Sequence, residues 1–337
     1  MSEAVRRVVH QLAEGNRPSP DGITAAFEAI LGGHAEPALI AAFLMGLRTR
    51  GETVEDIVAG ARVMRAHARM VKAPDGAIDT CGTGGLGWTS LNTSTAVALV
   101  SAGAGAVVAK HGNRSKSKAG SADVLEALGV NLAPSDAQLQ ACFREAGVAF
   151  MFAPAHHAAM KHVAPVRQAL GIRTIFNMLG PLANPAGVKR QMLGVFSPEW
   201  VGPFADALLA LGAERAMVVH GVDGMDEIST TGATLVAELK DGGLRMQDLT
   251  PERLGVKRVT LDDLRGGTAA ENAQAVKDVL SGKPGPFADL VVVNAGAAIL
   301  VAGLVDGLLD GIDRARDAIS SGKAMAALDA VRRASND

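Results

Sequence analysis

Tyrosine is absent from this 337-residue chain, and nine Phe and two Trp supply all of its 3% aromatic content. The core must therefore be packed from aliphatic side chains, and a hydrophobic content of 48% is enough to build a substantial one, in one large or two modest domains. Cysteine is scarce as well. Cys81 and Cys142 suit a reducing cytosol better than a disulfide framework, so a cytoplasmic location is expected. Charge of one sign is missing: 33 basic against 35 acidic residues give a net charge of −2, which leaves no global attraction to nucleic acid. No apolar signal segment is read at the N-terminus. The longest apolar run, Leu290 to Val305, is interrupted by Asn294 and falls short of the ~20 residues that a spanning helix needs. It reads as a buried core helix, and no membrane partner is expected. No internal repeat or low-complexity linker is visible.

Glycine, by contrast, is plentiful, and four of the 39 fall close together at Gly82, Gly84, Gly85 and Gly87. They follow a strand candidate, Ala77 to Cys81. Glycine tolerates positive φ and lets backbone N–H groups approach an anion with no Cβ in the way. Asn92-Thr93-Ser94-Thr95 comes next, ahead of an apolar helical run. Those residues are good N-caps, and a helix N-terminus holds phosphate well. The plainer reading is a glycine-rich turn with ordinary caps; the attached hydroxyl-rich cap favours an anion site. A second loop follows the strand candidate Ala106–Ala109. Lys110, Arg114, Lys116 and Lys118 are interleaved there with Ser115 and Ser117, ahead of a helix from Ser121 to Leu128. A charge run is ordinarily a solvated face. This one sits at a strand end, where ligands bind in open α/β sheets. Two such loops on successive strands suggest one ligand with more than one phosphate.

Around this region the pattern is orderly. Apolar residues at helical spacing predict four N-terminal helices with short loops, an α subdomain whose apolar positions exceed one stripe. Some of them should face the main domain or a second subunit. From Ala77 strands at 77–81, 106–109, 148–152, 191–196 and 216–220 alternate with helices. That alternation predicts an α/β fold: a mostly parallel sheet flanked by helices, with a smaller all-α N-terminal subdomain. Asp241-Gly242-Gly243 signals a hairpin between 234–239 and 244–248. Helices return at 269–280, 287–301, 304–319 and 325–334.

Other chemistry-bearing residues have competing readings. His156, His157 and His162 are poorly spaced for one metal and read better as polar packing or a cleft wall. Cys81 has no paired base, so it does not read as a nucleophile. Arg167 on a helix is ordinarily a surface or salt-bridge residue. Asp226-Glu227 at a strand end is either a solvated acidic turn or an Mg²⁺ site, since magnesium takes oxygen ligands and bridges substrate phosphates. Asp223 is a nearby competitor.

Gly82-Thr83-Gly84-Gly85, Asn92-Thr93-Ser94-Thr95, Lys110-His111-Gly112-Asn113-Arg114 and Gly120-Ser121-Ala122-Asp123 resemble the signature of the anthranilate phosphoribosyltransferase family. The match continues in family order through Pro165-Val166-Arg167, Phe176-Asn177-Met178-Leu179-Gly180-Pro181-Leu182-Ala183-Asn184-Pro185 and Gly224-Met225-Asp226-Glu227, over nearly the whole chain. The resemblance implies transfer of phosphoribosyl from phosphoribosyl pyrophosphate (PRPP) to the anthranilate amine, with Mg²⁺, in tryptophan biosynthesis. It implies that PRPP is held by Gly82, Thr83, Gly84, Gly85, Ser90, Asn92, Thr93, Ser94, Thr95, Lys110, Arg114, Ser117 and Lys118. Anthranilate would be held by Gly82, His111, Asn113 and Arg167, and metal by Ser94, Asp226 and Glu227. No residue acts as a covalent catalyst; positioning and electrostatics carry the rate. The resemblance also implies a helical subdomain, 1–74, joined by about 164–187, an α/β domain over 75–337, and a homodimer through the N-terminal helices. Two departures stand out: Leu86 replaces an Asp that many members carry, and the loop from Arg114 to Gly120 is one residue short. A pyrimidine nucleoside phosphorylase-like enzyme and a non-catalytic nucleic-acid-binding relative are the alternatives. The 111–114 and 165–167 motifs oppose the first, and the acidic balance with Asp226-Glu227 opposes the second.

Overall fold

The computed structural model describes residues 2–84, 90–115 and 118–337. Four helices open the chain: α1 (Ser2–Ala13), α2 (Pro20–Leu31), α3 (Pro37–Arg50) and α4 (Val54–Ala66). Local chemistry sets their starts. Gly22 N–H donates to Ser19 Oγ at 3.2 Å, and Pro20 opens α2, where its missing N–H has no intrahelical partner to lose. Thr53 and Asp56 cap α4 reciprocally: Asp56 N–H donates to Thr53 Oγ1 at 3.3 Å and Thr53 N–H to Asp56 Oδ2 at 2.9 Å. Such a cap is worth about 1 kcal/mol. Val5, Ile23, Phe27, Ile40, Phe43, Leu47 and Ile57 are fully buried between the four helices.

From Ile78 onward strands and helices alternate. In order they are β1 (Ile78–Gly82), α5 (Thr93–Gly103), β2 (Val108–Gly112), α6 (Ser121–Ala127), α7 (Asp136–Ala146) and β3 (Val148–Phe152). Next come α8 (Ala153–His156), a 3₁₀ turn at Ala158–His162, α9 (Ala164–Leu170), α10 (Ile175–Leu182) and β4 (Arg190–Gly194). Then follow α11 (Val201–Ala210), β5 (Arg215–Gly221), β6 (Thr234–Lys240) and β7 (Gly243–Leu249). The chain closes with α12 (Ala269–Leu280), α13 (Pro286–Ala302), α14 (Leu308–Ser320) and α15 (Lys323–Asn336). Among the described residues the strands form one seven-stranded sheet in the order β3-β2-β1-β4-β5-β6-β7. The first five are parallel and the last two antiparallel. The β6–β7 turn uses positive φ at Asp241 and Gly242, as a tight hairpin requires.

Two boundaries differ from expectation in ways that matter. β2 does not stop at Ala109: Lys110, His111 and Gly112 continue it, in register with Phe150, Met151 and Phe152. Polar side chains at 110 and 111 read as loop, yet both are buried. The apolar run after Leu290 ends as a helix at Ala302, where Gly303 at φ 78 closes it, and the next helix waits until Leu308.

The chain order makes β1 a switch point. Successive strands step outward from β1 through β2 to β3, then return to its other side at β4. Ligand crevices in open α/β sheets lie outside the carboxyl ends of strands at such a point. One sheet face is covered by α5, α7, α13 and α15 around a core that includes Ile78, Val108, Met192, Val219 and Val293. On the other face α1–α4, α10 and α11 share a second core with Leu193, Val218 and Ala237. Phe27 meets Phe43 edge-on at 5.2 Å and Phe176 at 5.9 Å, which ties α10 to the opening helices.

Asn294, the one polar break in the apolar run, is fully buried within α13. Its Oδ1 accepts from Ile228 N–H at 2.8 Å, and its Nδ2 donates to Ile228 C=O at 2.9 Å and Leu290 C=O at 2.8 Å. The amide thus fastens the segment just after Asp226-Glu227 to the core. Asn294→Ala would leave the Ile228 N–H and C=O buried and unpaired. The expected loss is about 3 kcal/mol, read from denaturant unfolding midpoints, and a change below about 1 kcal/mol would contradict this role.

Candidate active site

β1 and β4 both end in glycine, paired as Gly82 and Gly194. The loop after β5 crosses directly over them. A Cβ at Gly194 would stand 1.6 Å from the Asp226 carbonyl oxygen, and one at Gly82 would stand 2.2 Å from Asp226 Oδ2. Asp226 reaches the crevice because those two positions have no side chain. Gly84 N–H donates to Asp226 Oδ2 at 2.8 Å, and Thr83 N–H to Gly194 C=O at 2.9 Å. Gly85 and Leu86, which continue this loop, lie outside the described residues, as does Ser117 of the second loop.

Asp226 and Glu227 are both half-buried. Burial pushes both carboxyls up, Glu227 well above its ordinary value, and the neighbouring Asp226 charge raises Glu227 further. Asp223, the competing carboxylate, is occupied by Ser229, Thr231 and the Met225 N–H. Adjacent carboxylates whose charges repel fit a hard divalent cation, whose own charge relieves that repulsion. Among the described residues no group of three or more His, Cys, Asp or Glu side chains gathers to hold a metal. A cation here would draw its remaining ligands from a hydroxyl, water or substrate oxygens.

Beneath the crevice lies a buried charge cluster. Lys110 Nζ donates to Thr80 C=O at 2.7 Å and to Ser94 Oγ at 3.1 Å. Burial lowers the Lys110 proton affinity, while Asp79 and Glu227 support its charge. Asp79 is fully buried, with its carboxyl pushed up by desolvation, and its Oδ1 accepts from His111 N–H at 3.4 Å. Lys110 therefore stands under the phosphate-loop candidates as a strand residue, in contact with the Ser94 hydroxyl. Cys81 is an inert thiol: burial raises it well above its ordinary value, and Gln191 Nε2 donates to its sulfur at 3.2 Å.

The start of α5 departs from simple capping. Asn92 makes no side-chain cap. It bridges instead: its Nδ2 donates to Ala119 C=O at 3.0 Å and its Oδ1 accepts from Asn272 Nδ2 at 2.8 Å. The positive end of the α5 dipole keeps no side-chain cap, and Asn92 ties it to the second loop. Ser90 is fixed there too, with its C=O accepting from Asn272 Nδ2 at 3.3 Å. Thr93 and Thr95 are buried in the first turn of α5.

The second loop is closed by ion pairs. Arg114 Nη1 contacts Asp123 and Glu126 at 2.8 Å each, and Nη2 contacts Glu126 at 2.9 Å. Asp123 also accepts from Gly120 N–H at 2.9 Å. The Arg114 fork, expected on phosphate, is turned to the carboxylates of α6, since Asp123 and Glu126 lie on one helix face within its reach. Asn113 and Lys118 are exposed, and Lys118 sits at φ 57.

A second group is nearly uncharged. The rings of His111 and His157 lie 5.3 Å apart, both buried, and neither Nε2 has a hydrogen-bond partner among the described residues. Burial takes His111 down to about 3, with His157 adding to the shift, and burial lowers His157 as well. His156 is a wall residue whose Nδ1 meets Arg69 C=O at 3.0 Å. Arg167 is half-buried over the Phe176 ring at 5.8 Å, with Asn177 Oδ1 at 3.4 Å. No carboxylate among the described residues pairs with it.

Several contributors were not legible as site residues. His157 was visible only as part of a histidine cluster. Asn272 lies 180 positions from its partner Asn92. Arg173 sits in the turn between α9 and α10, where its Nη2 donates to Gly84 C=O at 2.9 Å and its guanidinium lies 3.9 Å over the Phe196 ring.

A helical bundle on a parallel sheet, with two loops and a carboxylate pair at the switch point, belongs to the glycosyl transferases. The family model "Glycosyl transferase family, a/b domain" matches residues 74–325, and "Glycosyl transferase family, helical bundle domain" matches residues 6–68. The anthranilate phosphoribosyltransferase of Parvibaculum lavamentivorans is 54% identical over 332 residues, 98% of this chain and 97% of that protein. The crystal structure of the Thermus thermophilus enzyme superposes with a TM-score of 0.92 at 43% identity, over 98% of this chain and 99% of the other. The Saccharomyces cerevisiae enzyme in complex with PRPP and Mg matches with a TM-score of 0.90 at 26% identity, over 100% and 99%. The chain belongs to the anthranilate phosphoribosyltransferase family.

The lowered His111 has a measurable consequence. An unfolded His titrates near 6.5, while the folded one stays neutral down to about 3. Below pH 6.5 the unfolded chain binds the extra proton, so this contribution to stability is complete above 6.5 and is lost as pH falls toward 3. The slope is about 1.4 kcal/mol per pH unit. Unfolding free energy measured from about pH 7 to 4 should fall less steeply for His111→Asn, by nearly one proton's worth; parallel curves would contradict a buried neutral His111.

Proposed function

We propose that this chain transfers the phosphoribosyl group of PRPP to the amine of anthranilate, giving N-(5-phosphoribosyl)anthranilate and pyrophosphate, in tryptophan biosynthesis. The observation that carries the reading is the crossing of Asp226-Glu227 over Gly82 and Gly194 at the switch point, which places carboxylates beside the glycine loop.

The donor is assigned to Gly82, Thr83, Gly84, Gly85, Ser90, Asn92, Thr93, Ser94, Thr95, Lys110, Arg114, Ser117 and Lys118. Backbone N–H groups of the glycine loop and the α5 N-terminus suit an anionic ligand. Lys110 acts from below, orienting the Ser94 hydroxyl. Arg114 reaches phosphate only by leaving its carboxylates, so its contribution is the smallest of these. Ser94, Asp226 and Glu227 would hold Mg²⁺, which would supply positive charge against the departing pyrophosphate. The C1–O bond to pyrophosphate breaks, the amine nitrogen forms the C1–N bond, and one amine proton is lost.

The acceptor is assigned to Gly82, His111, Asn113 and Arg167. A half-buried guanidinium with no carboxylate of its own among the described residues suits the carboxylate of the aromatic acid, which its planar fork grips at two points. The neutral His111 and His157 rings suit an uncharged aromatic face. An arylamine is neutral near pH 7, so its lone pair is free before attack and the proton leaves only after the C1–N bond forms; alignment over C1 matters more than base catalysis. The reading extends to a helical unit of 1–74 joined by about 164–187, against an α/β unit of 75–337. Shared burial of α10 with α1–α4 supports the joining of 164–187 to the helical unit, in a core that also takes in β4, β5 and α11 of the α/β unit. It extends also to a homodimer through the N-terminal helices and to the cytoplasm, which two free cysteines suit.

Purified protein with PRPP, Mg²⁺ and anthranilate should consume anthranilate fluorescence; turnover of a pyrimidine nucleoside with phosphate instead would overturn the assignment. Arg167→Ala should raise the anthranilate KM at least about tenfold, the scale of a lost charge-assisted pair, while the PRPP KM stays within about threefold. Equal effects on both would remove Arg167 from the acceptor site. Asp226→Asn with Glu227→Gln should shift the Mg²⁺ titration of activity upward by about tenfold or more, and an unshifted titration would remove the pair as ligands.

A further inference from the structure

We propose that Arg173 is a positioning residue for the metal end of the site: it fixes Gly84 from the carbonyl side and, through Gly84, holds the Asp226 carboxylate in place. The inference rests on the metal role proposed above for Asp226.

Gly84 is held from two directions. Its N–H donates to Asp226 Oδ2 at 2.8 Å, and its C=O accepts from Arg173 Nη2 at 2.9 Å. At φ 63 the residue is in the left-handed region, where the backbone has no intrinsic preference strong enough to fix it. The Thr83 hydroxyl adds only a long contact to the same carbonyl at 3.5 Å, so the two charged side chains are the stronger holds on Gly84. Arg173 is itself anchored. Its guanidinium stacks 3.9 Å over Phe196, two residues past the end of β4, and is half-buried between Gly171, which closes α9, and Thr174, which opens α10. Burial lowers the Arg173 proton affinity, and the Asp226 carboxylate offsets part of that. Arg173 Nη1 is buried with no hydrogen-bond partner among the described residues.

Remote carbonyls are common arginine partners in this fold, as for Arg65 with Leu182 and Arg314 with Ala104. Arg173 differs in which carbonyl it holds: the accepting residue, Gly84, is also the one whose N–H donates to Asp226, and a second Arg173 donor is unspent among the described residues. The segment that carries Arg173 also carries Arg167, six residues earlier, and shares its core with α1–α4. Arg173 is thus a contact by which the acceptor-side segment reaches the donor-side loop. A lysine could donate to Gly84 and keep the charge, but it could not lie flat on Phe196.

The test compares wild type, Arg173→Gln, Arg173→Lys, Asp226→Asn and the double variant Arg173→Gln/Asp226→Asn. Three quantities are read: calorimetric PRPP binding as a function of Mg²⁺, the KM of each substrate, and amide exchange of the peptide spanning Gly82 to Gly84. The Arg173→Gln protein should need about tenfold more Mg²⁺ for half-maximal PRPP binding and exchange faster at Gly84, with the anthranilate KM within about threefold. Arg173→Lys should recover part of the magnesium response. The double variant should be no worse than Asp226→Asn, because both act on one element. Additive losses, or a magnesium response unchanged by Arg173→Gln while wild type shows one, would overturn this inference alone. Wild-type PRPP binding with no magnesium dependence would overturn the metal reading and this inference together.

Discussion

Asp226 lies across the ends of two adjacent parallel strands, its backbone against Gly194 and its carboxylate against Gly82, and neither approach leaves room for a side chain. With any side chain at 82 or 194 the Gly221–Glu227 loop would be pushed away from the sheet, and the carboxylate pair would leave the crevice. The same loop is held from behind by Asn294. A primary amide in the middle of a buried helix is costly unless its donors and acceptor are matched. Here it satisfies one backbone N–H and two carbonyls, so the polar group that weakens the apolar run as a helix strengthens it as an anchor. The position of the carboxylates thus follows from two small absences in front and one buried amide behind.

That placement makes the electrostatics of the site intelligible. Lys110, Asp79 and Glu227 lie at or beneath the strand ends, where removing a charge from water costs several kcal/mol. A unit pair at ~4 Å recovers about 4 kcal/mol at an effective dielectric of 20, so the Asp79 and Glu227 carboxylates offset part of the burial that lowers Lys110. Asp79 is spent in that role. Glu227 and Asp226 remain with more negative charge than Lys110 and Arg173 relieve, and burial keeps both carboxyls pushed up. The other group has the opposite character. His111 and His157 are lowered by burial, and Arg167, on α9, pairs with no carboxylate among the described residues. The carboxylate region would suit a divalent cation, and the histidine rings would suit an uncharged aromatic face. The proposed transfer needs both kinds of environment in one crevice.

The fold was largely legible because its signals are local. Alternation of strand and helix patterns marked the mostly parallel sheet, and the four expected N-terminal helices are present. The strand β3 fell where its β-rich run placed it, and the Asp241-Gly242 turn joined the predicted hairpin. Boundaries moved where polarity misled. Lys110 and His111 are strand residues because the site buries charge at the end of β2, and a rule that equates charge with loop cannot anticipate that. Asn92 was legible as a helix start but not as a bridge, since its partner Asn272 is remote in sequence.

The residues that escaped the sequence share one physical feature. Motif reading finds side chains whose neighbours along the chain define their role, as in Gly82-Thr83-Gly84 or Asp226-Glu227. Asn294 works on Ile228 from 66 positions away and Arg173 on Gly84 from 89, and neither has a distinctive local pattern. Both grip backbone groups rather than side chains, so the partner's identity leaves no trace in the sequence either. What such residues supply is orientation: they fix a peptide that could otherwise rotate, and a displaced peptide here moves Asp226. A site that rests on Gly84 depends on them most, because the freedom that lets a glycine approach an anion leaves that residue with no preferred conformation of its own.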